Sequence, residues 1–517
     1  MRIRRALISV FNKNGLLDLA RALNRMGVEI ISSGGTAAML KKGDIPVVEV
    51  SDFTGAPEMF GGRVKTLHPK VHGGILYRRG SKEDEKEAKK NKIDPIDLVV
   101  VNLYPFEQTV AEKDVTQEKA IENIDIGGPA LIRAAAKNWQ HVAVVVDPED
   151  YAGLIQDMEA HRGEVSEEKR KKLMIKAFER TSHYDWVISR HFGGEGQERF
   201  PHRMKMIFER AYPLRYGENP GQKAAAYRQV GHLSLFDAKI FSGKQMSYNN
   251  FLDADSALHL IREFHGKTAC VILKHTNPCG GAVGRTLKEA YEKAHAGDPL
   301  AAFGGIIAFS KRVDVDAANA IGNKFIEVIL APGYDPEALE ILKAKPSRRI
   351  LDITHLFTPL HAGDVNFRNI TGGMLYQEED AGIYELKQAR AVSKRQPTDS
   401  EWRDMHFGMV IAKHAKSNAV IICRNEQIVG VGAGQMSRID ACKIAISKAR
   451  ENKFELKGCV SASDAFMPFP DTAEELGKVG VAAIVQPGGS IKDEEVIACA
   501  DKYDMAMIFT GIRHFKH

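Results

Sequence analysis

Residues 269–284 read "ACVILKHTNPCGGAVG", and the change of pattern inside this stretch decides how the second half of the chain folds. The first five residues are apolar and predict a buried strand. The Asn-Pro-Cys-Gly segment predicts a turn, after which the chain is apolar again. A turn does not require the Lys274–His275 pair that precedes it. We therefore expect this pair to stand at a strand end because of its chemistry.

Strands and helices are predicted to alternate on both sides of this stretch. Before it, the runs "RALISVF" and "DLVVVNLYPF" predict strands, and "NGLLDLARALNRMG" has the apolar spacing of a helix. After it, "GGIIAFS", "NAVIICRN" and "VAAIVQPGG" predict further strands. Strands that alternate with helices predict a parallel sheet with helices on its faces. The fold class expected from the pattern is therefore α/β.

The length of 517 residues allows two to four domains. A long charged helix is predicted over residues 164–186, and the Gly-rich polar segment "SRHFGGEGQERFPHRMK" follows it. We place the domain boundary there, which gives domains 1–195 and 196–517. In the second domain, "CVILKH…GAVG" and "AVIICRN…IVGVGAG" are faintly alike. This likeness permits a duplicated α/β unit but does not show one.

Composition excludes several classes of protein. With 44% hydrophobic and 27% charged residues, the chain has the composition of an ordinary soluble globular protein. A net charge of +5 argues against a dedicated nucleic-acid binder and suits small anionic ligands such as phosphates. No apolar run is long enough for a membrane helix, so no membrane partner is expected. The six cysteines form no C-x-x-C pair, which predicts reduced thiols and a cytoplasmic protein.

Two motifs of the first domain could bind an anion. "SSGGTA" (32–37) lies between a predicted strand and helix, where the N–H groups of a Gly-rich turn can bind phosphate. A plain turn with Thr36 as the helix N-cap is the alternative. Lys13 follows the first strand and would lie at the same edge of a parallel sheet. "GGRVKTLHPKVHGG" (61–74) predicts a loop that presents cations, or else an ordinary basic surface loop.

A third motif of this domain, "ENIDIGGPALIRAAAKNW", could transfer protons. Asp125 comes just before a helix that opens at Gly127, and Lys137 lies further along that helix. An acid and an amine that point into one cleft could act as proton donor and acceptor. A capping Asp and a surface Lys are the alternative. Nearby, Asn102 and Tyr104 end the predicted strand "VVVNLY".

In the second domain, the Lys274–His275 pair could combine a general base with a group that stabilises an oxyanion. A surface pair at a strand end is the alternative. The stretch also has features of zinc nucleoside deaminases, which use H-x-E and P-C-x-x-C. Asn277 replaces the required Glu, and neither Ala282 nor Val283 is a cysteine. We therefore expect no catalytic metal.

Together the motifs resemble one family over residues 6–517, in order: the bifunctional purine biosynthesis enzymes that join an AICAR formyltransferase to an IMP cyclohydrolase. The resemblance is carried by "SSGGTA", "EMFGGRVKTLHPKVHGG", "NLYPF", "IDIGGPALIRAAAKN", "LRYGENPGQ", "SYNNFLDADSA", "LKHTNPCG", "FGGIIAFS", "APGY", "GAGQMSR" and "SDAFMPFPD". It implies a methylglyoxal-synthase-like first domain that closes the purine ring. It implies a second domain with a duplicated, zinc-free, cytidine-deaminase-like fold that transfers a formyl group from 10-formyltetrahydrofolate to AICAR. Members of the family are homodimers, with formyltransferase sites at the dimer interface.

The resemblance also implies roles in formyl transfer. His275 would be the base for the 5-amino group of AICAR, Lys274 would stabilise the developing charge, and Asn418 would orient the formyl oxygen. Other positions would bind substrates: Arg215, Tyr216, Gly304, Glu327, Arg438, Phe466, Arg513 and His517. Glu327 stands where the family has an Asp that contacts the pterin, which is a departure from the pattern.

For ring closure of formyl-AICAR, the resemblance implies that Asp125 and Lys137 transfer protons while Tyr104 and Lys65 stabilise charge. The phosphate would be held by Lys13, Ser33, Gly34, Gly35, Thr36, Arg63 and Thr66. Phe11 stands where the family often has a small hydroxyl residue. Two rival hypotheses stay open. A non-catalytic phosphosugar sensor would not require the Lys65, Tyr104, Asp125 and Lys137 set, and a nucleoside deaminase would bind zinc.

Overall fold

The computed structural model describes residues 1–193, 198–361, 363–382 and 389–517. These residues form two compact units, Met1–Met204 and Lys205–His517. The boundary predicted between residues 195 and 196 lies outside the described residues. Each unit has its own apolar cores, so each is described by itself.

The described part of the first unit contains a five-stranded sheet in the order β3-β2-β1-β4-β5, and every neighbouring pair is parallel. Its strands are β1 (Arg5–Val10), β2 (Glu29–Ser32), β3 (Val48–Glu49), β4 (Leu98–Asn102) and β5 (Ala143–Val145). The chain goes from β1 outward to β2 and later returns to the other side of β1 as β4. The strand order therefore reverses between β1 and β4, and their carboxyl ends border a crevice of the kind that binds ligands in open α/β sheets.

Helices pack on both faces of this sheet. They are α1 (Leu16–Arg25), α2 (Gly34–Lys42), α3 (Val50–Thr54), α4 (Pro69–Leu76), α5 (Lys82–Lys90), α6 (Phe106–Val110), α7 (Gln117–Glu122), α8 (Gly127–Lys137), α9 (Tyr151–Ala160) and α10 (Glu167–Phe192). In β1, Ala6 and Ile8 belong to one apolar cluster and Leu7 belongs to the other, as the two-residue period of a strand requires. The parallel α/β architecture predicted for this unit is confirmed.

The loop predicted over residues 61–74 is only partly a loop. Its second half forms α4, although the segment contains a proline and two glycines. Pro69 occupies the first helical position, where its missing N–H costs nothing, and the His68 Nδ1 atom accepts the N–H of Lys70 at 3.1 Å. The prediction failed because proline was taken as a helix breaker at a position where it favours helix initiation.

The second unit is built around a sheet that has twelve strands among the described residues, in the order β16-β21-β20-β19-β17-β18-β10-β9-β11-β12-β13-β8. Two short hairpins, β6–β7 and β14–β15, lie outside it. The strands are β6 (Phe208–Leu214), β7 (Ala224–Gln229), β8 (Lys239–Ser242), β9 (Ala269–Lys274), β10 (Asn277–Val283), β11 (Ile306–Phe309), β12 (Val328–Ala331), β13 (Arg349–Asp352), β14 (Val365–Ile370), β15 (Gly373–Glu378), β16 (Arg390–Ala391), β17 (Val420–Arg424), β18 (Gln427–Gly432), β19 (Val460–Ser463), β20 (Ala483–Gln486) and β21 (Ala506–Phe509). The sheet is mixed, with parallel strands in its outer parts and antiparallel hairpins at its centre.

The helices of this unit repeat one arrangement. They are α11 (Tyr248–Arg262), α12 (Leu287–Gly297), α13 (Pro299–Ala302), α14 (Val315–Ile321), α15 (Pro336–Lys343), α16 (Asp399–His414), α17 (Arg438–Glu451), α18 (Asp471–Lys478) and α19 (Asp493–Lys502). In each half, a helix (α11 or α16) precedes an antiparallel hairpin (β9–β10 or β17–β18), and three strands separated by helices follow. The two central strands, β10 and β18, pair antiparallel and join the halves. The two runs that are faintly alike in sequence are these two hairpins.

The turn expected at "NPCG" is instead the start of β10. The chain reverses one step earlier, at His275 and Thr276, which both have positive φ angles of 52° and 64°. The ladder between β9 and β10 shifts register between Pro278 and Gly280, which accommodates a proline inside the strand. The sequence signal was therefore that of a bulge next to a turn, and it was interpreted as the turn itself.

A glycine in each central strand lets a helix backbone lie directly on the sheet. A Cβ atom on Gly280 would overlap the carbonyl oxygen of Ala294 in α12. A Cβ atom on Gly430 would overlap the carbonyl oxygen of Ala445 in α17. Close helix–strand approach at equivalent places therefore depends on the absence of a side chain at both positions.

All six cysteines are free thiols. Four of them are buried: Cys270, Cys423, Cys442 and Cys459. Cys279 and Cys499 are half-buried. Burial raises the pKa of every one of these thiols, that of Cys459 to about 11 and those of Cys279 and Cys442 to about 12. None of the helices in the described residues has the length and apolarity needed to cross a bilayer.

The glycine contacts lead to a stability prediction. Gly430→Ala should lower the free energy of unfolding of the second unit by about 1–3 kcal/mol, because the new methyl group must displace α17 from the sheet. Chemical unfolding followed by circular dichroism measures the change. Gly221→Ala is the matched control, because an added Cβ atom there meets no atom within 4 Å. Equal stability of the two variants would contradict the packing argument.

Candidate active sites

A cavity of about 670 Å³ opens at the carboxyl ends of β1, β2 and β4 in the first unit. It lies at the reversal of strand order, where the topology places a ligand site. Ten residues proposed from the sequence line it: Lys13, Ser33, Gly34, Gly35, Thr36, Arg63, Lys65, Thr66, Tyr104 and Asp125. Five separate segments of the chain thus converge on one crevice.

One corner of this cavity is built to receive an anion. The nine-residue helix α2 begins at Gly34, and Ser33, its extended N-cap, makes no side-chain capping bond. The first N–H groups of the helix therefore point out of its end without a capping partner. The Lys65 ammonium lies over this end, 3.5 Å from where a Cβ atom of Gly34 would be. A helix N-terminus with a cation beside it favours a phosphate group.

Thr36 is not the N-cap that one reading of the sequence predicted. Its buried hydroxyl donates to the carbonyl oxygen of Val10 at 3.0 Å and accepts from the Lys13 ammonium at 3.0 Å. Lys13 also donates to the Val10 carbonyl, and burial lowers the pKa of its ammonium. Thr36 therefore ties α2 to the end of β1 and fixes Lys13 at the floor of the cavity.

Both cations of the 60–67 segment are paired with carboxylates. The Lys65 Nζ atom lies 3.0 Å from an oxygen of Glu58, and Arg63 bonds Glu122. These pairs are largely exposed, so each contributes little to stability. A phosphate bound in this corner could therefore replace Glu58 as the partner of Lys65, or Glu122 as the partner of Arg63, with little loss of free energy.

Asp125 is a half-buried acid of the cavity. Its Oδ1 atom accepts the N–H of Gly128 at 2.7 Å, and its own N–H donates to the Tyr184 hydroxyl at 2.7 Å. A Cβ atom on Gly128 would overlap the Asp125 carboxylate, so only glycine allows this packing. Burial raises the pKa of the carboxyl, although the N–H groups of Gly128 and Tyr104 partly offset the effect. The group is thereby suited to exchange protons nearer neutral pH.

Tyr104 stands at the mouth of the same cavity. Its ring is 48% exposed and meets the ring of Phe11 edge to face, with 5.6 Å between centroids. Phe11 is the residue that departs from the family pattern. An aromatic side chain thus supports Tyr104 at the place where the family often has a hydroxyl group.

The structure does not bring Asp125 and Lys137 into one cleft. They flank opposite ends of the eleven-residue helix α8, which rises about 15 Å along its axis. Lys137 is exposed and does not line the cavity. Of the two interpretations of this motif, the structure favours a capping Asp and a surface Lys, because Asp125 accepts the N–H of Gly128 at the start of α8 and Lys137 is exposed at its end. A catalytic role for Lys137 stays a prediction of the resemblance alone.

In the second unit, Lys274 and His275 stand at the end of β9. The Lys274 ammonium donates to the carbonyl oxygens of Phe303 and Gly304, both at 3.1 Å. His275 is exposed and occupies the first position of the left-handed turn. The cation is therefore held on the backbone, while the imidazole faces outward.

Asn418 and Arg438 form the second group of predicted residues. The Arg438 guanidinium donates to Asn418 Oδ1 at 2.8 Å, to Ser463 Oγ at 2.9 Å and to the buried carboxylate of Asp464. Its Nε atom donates to the carbonyl oxygen of Phe466 at 3.1 Å. Arg438 thus fixes the side chain of Asn418 and the loop that carries the half-exposed ring of Phe466.

Asn277 joins these two groups. Its Oδ1 atom accepts the N–H of Lys416 at 2.9 Å, two residues before Asn418, and its amide reaches the carbonyl oxygen of His275 at 3.5 Å. The segments that carry the Lys274–His275 pair and Asn418 therefore meet through Asn277 within a single chain.

The last residues of the chain are docked beside these groups. The N–H of Ser417 donates to the carbonyl oxygen of Lys516 at 2.9 Å, and the N–H of His514 donates to that of Asp464 at 2.9 Å. Arg513 and His517 belong to this docked segment. The Arg513 guanidinium lies over the ring of Phe515, 4.3 Å from its centroid.

Glu327, Arg215 and Tyr216 lie on neighbouring segments. The Glu327 carboxylate accepts from Asn250 at 2.8 Å and lies 3.3 Å from a guanidinium nitrogen of Arg349. Its N–H donates to the carbonyl oxygen of Gly305 at 3.1 Å, which places it next to Gly304. Arg215 stacks on Tyr216 in the loop after β6, with 5.4 Å between the guanidinium and the ring centroid.

Sequence reasoning missed the residues that hold these sites together. Asp253, Asn277 and Asp464 all lie in motifs quoted from the sequence, but none of them was expected to hold a site together. The signal available was the polarity of short side chains next to a strand end. It does not reveal the long-range partner of each residue. Among the described residues, no group of three His, Cys, Asp or Glu side chains is arranged to hold a metal.

Burial of Asp125 leads to a pH-dependent prediction. Because the pKa of this carboxyl is raised on folding, its contribution to stability falls as the pH rises through that pKa. Asp125→Asn keeps an acceptor for the Gly128 N–H. The variant should therefore be more stable than the wild type at pH 7, and its advantage should vanish below about pH 4. Thermal unfolding at the two pH values measures both effects.

Asp147→Asn is the control, because its expected effect on stability at pH 7 has the opposite sign. Burial opposes ionisation of Asp147, but the Glu149 N–H and the Lys176 ammonium outweigh it and hold the pKa of that carboxyl below its usual value. This variant should lose stability at pH 7. A loss of the same size in Asp125→Asn would refute the assignment of burial as the main influence on Asp125.

Comparison with known proteins agrees with this geometry. The sequence model of the AICARFT/IMPCHase bienzyme family matches residues 135–448, and that of the MGS-like domain matches residues 15–130. The bifunctional purine biosynthesis protein PurH of Persephonella marina is 47% identical over 522 residues, which cover 99% of this chain and 100% of that protein. A solved structure described as "Crystal structure of ForH" is 35% identical and covers 37% of this chain and 99% of its own, with a TM-score of 0.34. The chain belongs to the AICARFT/IMPCHase bienzyme family.

Proposed function

We propose that the two reactions of this bienzyme take place in different units of the chain. The protein is an AICAR formyltransferase and IMP cyclohydrolase of purine biosynthesis. Ring closure is assigned to the domain of residues 1–195 and formyl transfer to that of residues 196–517. The observation that carries the first assignment is the single cavity lined by ten predicted residues, which falls in the unit that contains the MGS-like match.

In ring closure, the carboxamide nitrogen of formyl-AICAR attacks the formyl carbon and loses one proton. The formyl oxygen then leaves as water with that proton and the proton of the formamido nitrogen, between which and the formyl carbon the new double bond forms. Asp125 takes the proton of the attacking nitrogen, for which its raised pKa suits it. Tyr104 and Lys65 stabilise the negative charge that develops on the formyl oxygen. The phosphate is held by Lys13, Ser33, Gly34, Gly35, Thr36, Arg63 and Thr66.

In formyl transfer, the 5-amino group of AICAR attacks the formyl carbon of 10-formyltetrahydrofolate, and the folate N10 leaves. His275 takes the proton of the attacking amine. Lys274 stabilises the developing charge and assists departure of N10, while Asn418 orients the formyl oxygen. Arg438 is occupied by Asp464 and Asn418, so it acts through Asn418. The exposed groups Arg215, Arg513 and His517 remain for the nucleotide.

The finer structural assignments are part of the same proposal. A duplicated cytidine-deaminase-like fold is supported by the repeated helix, hairpin and strand order of the second unit. Chemistry without zinc is supported by the residues Asn277, Ala282 and Val283, which cannot replace the deaminase motif residues. The folate co-substrate, a homodimer and a cytoplasmic location belong to this proposal as well, and membership of the family is what supports them. Glu327 is proposed as a pterin neighbour, although Asn250 and Arg349 already engage its carboxylate.

The assignment is tested by separating the two activities. With AICAR and 10-formyltetrahydrofolate, the wild type should form IMP, which absorbance detects. His275→Ala should lower formyl transfer by at least about 100-fold because the base is lost, and it should still cyclise added formyl-AICAR. Asp125→Asn should accumulate formyl-AICAR because only the second step is impaired.

The variant Lys137→Ala tests two opposed expectations for Lys137. The structure places this residue outside the cavity, whereas the family resemblance implies a catalytic role. Since Lys137 lies outside the cavity, the variant should keep ring closure at nearly the wild-type rate. Loss of ring closure would return Lys137 to the catalytic set. Full activity of both His275→Ala and Asp125→Asn would overturn the assignment of residues, even with the family correct.

A further inference from the structure

Each half of the second unit contains a hairpin turn that is held by a carboxylate from the preceding helix. In the first half, Asp253 is the sixth residue of α11, and its Oδ1 atom accepts the N–H of Thr276 at 2.7 Å. In the second half, Asp404 is the sixth residue of α16, and its two oxygens accept the N–H groups of Asn425 and Glu426 at 2.9 Å and 2.7 Å. The same helix position thus serves the same purpose twice.

The two turns also share an unusual backbone. His275 and Thr276 have φ angles of 52° and 64°, and Asn425 and Glu426 have φ angles of 53° and 50°. Two successive left-handed residues form a tight hairpin turn that normally favours Asn and Gly. Thr276 is β-branched, and such residues rarely adopt this conformation. An external acceptor for the turn N–H groups compensates for the unfavourable side chain.

The surroundings of the two turns correspond as well. Lys274, at the end of β9, donates to the carbonyl oxygen of Gly304 just before β11. Arg424, at the end of β17, donates to that of Lys457 before β19, at 3.4 Å. Burial raises the pKa of both carboxyls, Asp253 and Asp404. The two turns therefore differ chiefly in their side chains, because only the His275–Thr276 turn presents an imidazole.

We propose that Asp253 is a positioning residue for formyl transfer, which fixes the left-handed His275–Thr276 turn and so aims the imidazole of His275 at the reacting amine. This inference rests on the proposed function of His275. Asn277 completes the arrangement, because it ties the other side of the turn to the segment that carries Asn418. Asp253 makes no bond to substrate in this mechanism and acts only through the turn.

The experiment compares Asp253→Ala with Asp404→Ala. Asp253→Ala should lower kcat for formyl transfer by about 100-fold, because a misplaced base loses its alignment with the amine. The KM values for AICAR and folate should change much less. Asp404→Ala removes the same interaction from the equivalent turn and should keep formyl transfer nearly unchanged. Ring closure of added formyl-AICAR should persist in both variants and reports a folded first unit.

A second substitution separates positioning from direct chemistry and from general instability. Glycine adopts the left-handed conformation without a steric cost, so Thr276→Gly should restore the turn in the absence of its carboxylate. The double variant Asp253→Ala/Thr276→Gly should therefore recover at least about 10-fold in kcat over Asp253→Ala. A group that transferred protons itself would not be rescued in this way.

Three outcomes would overturn the inference: wild-type kcat in Asp253→Ala, an equal loss in Asp404→Ala, or no rescue by Thr276→Gly. His275→Ala, measured alongside, keeps the two proposals distinguishable. If His275→Ala retains formyl transfer, the proposed function of the Lys274–His275 pair fails. If His275 is required while Asp253 is not, only the inference about Asp253 fails.

Discussion

The second unit depends on direct contact between the backbone of a helix and a glycine in each of the two central strands. At Gly280 and Gly430, the carbonyl oxygens of Ala294 and Ala445 occupy the space of a Cβ atom. Each helix can therefore lie against its central hairpin, and the two hairpins pair through β10 and β18 at the middle of the sheet. This arrangement brings the hairpin turn of one half next to the Asn418 segment of the other. The proposed formyltransferase site draws its residues from both halves, which this pairing brings together.

The two candidate sites hold their charged groups in different ways. In the first unit, the topology supplies the crevice, and a helix N-terminus with Lys13 and Lys65 supplies a positive corner. A half-buried carboxyl, Asp125, lies in the same cavity and takes up protons more readily because it is desolvated. In the second unit, the cations are fixed by carbonyl oxygens and carboxylates, while the imidazole of His275 is exposed.

Much of this arrangement could be predicted from the sequence, because alternating apolar periods and ordered motifs are local signals. The parallel sheet of the first unit and the anion-binding turn at Ser33–Thr36 were predicted in this way, whereas the set of Lys65, Tyr104 and Asp125 was predicted from the family resemblance. The failures share a physical cause. Pro69 begins a helix and Pro278 lies in a bulge, so the meaning of each proline depends on a register that the sequence does not state. Asp253 acts on a turn 23 residues away, and no local pattern specifies such a pair.

The state of the cysteines has a practical consequence for labelling. Thiolates, not thiols, react with maleimides, and a thiol whose pKa lies near 11 or 12 is almost entirely protonated at neutral pH. Burial at Cys270, Cys423, Cys442 and Cys459 also blocks access of a reagent. A single cysteine introduced on an exposed loop would therefore react far faster than these four buried thiols. Fluorescent probes could be attached to the folded chain at one chosen place once the more accessible Cys499 has been replaced.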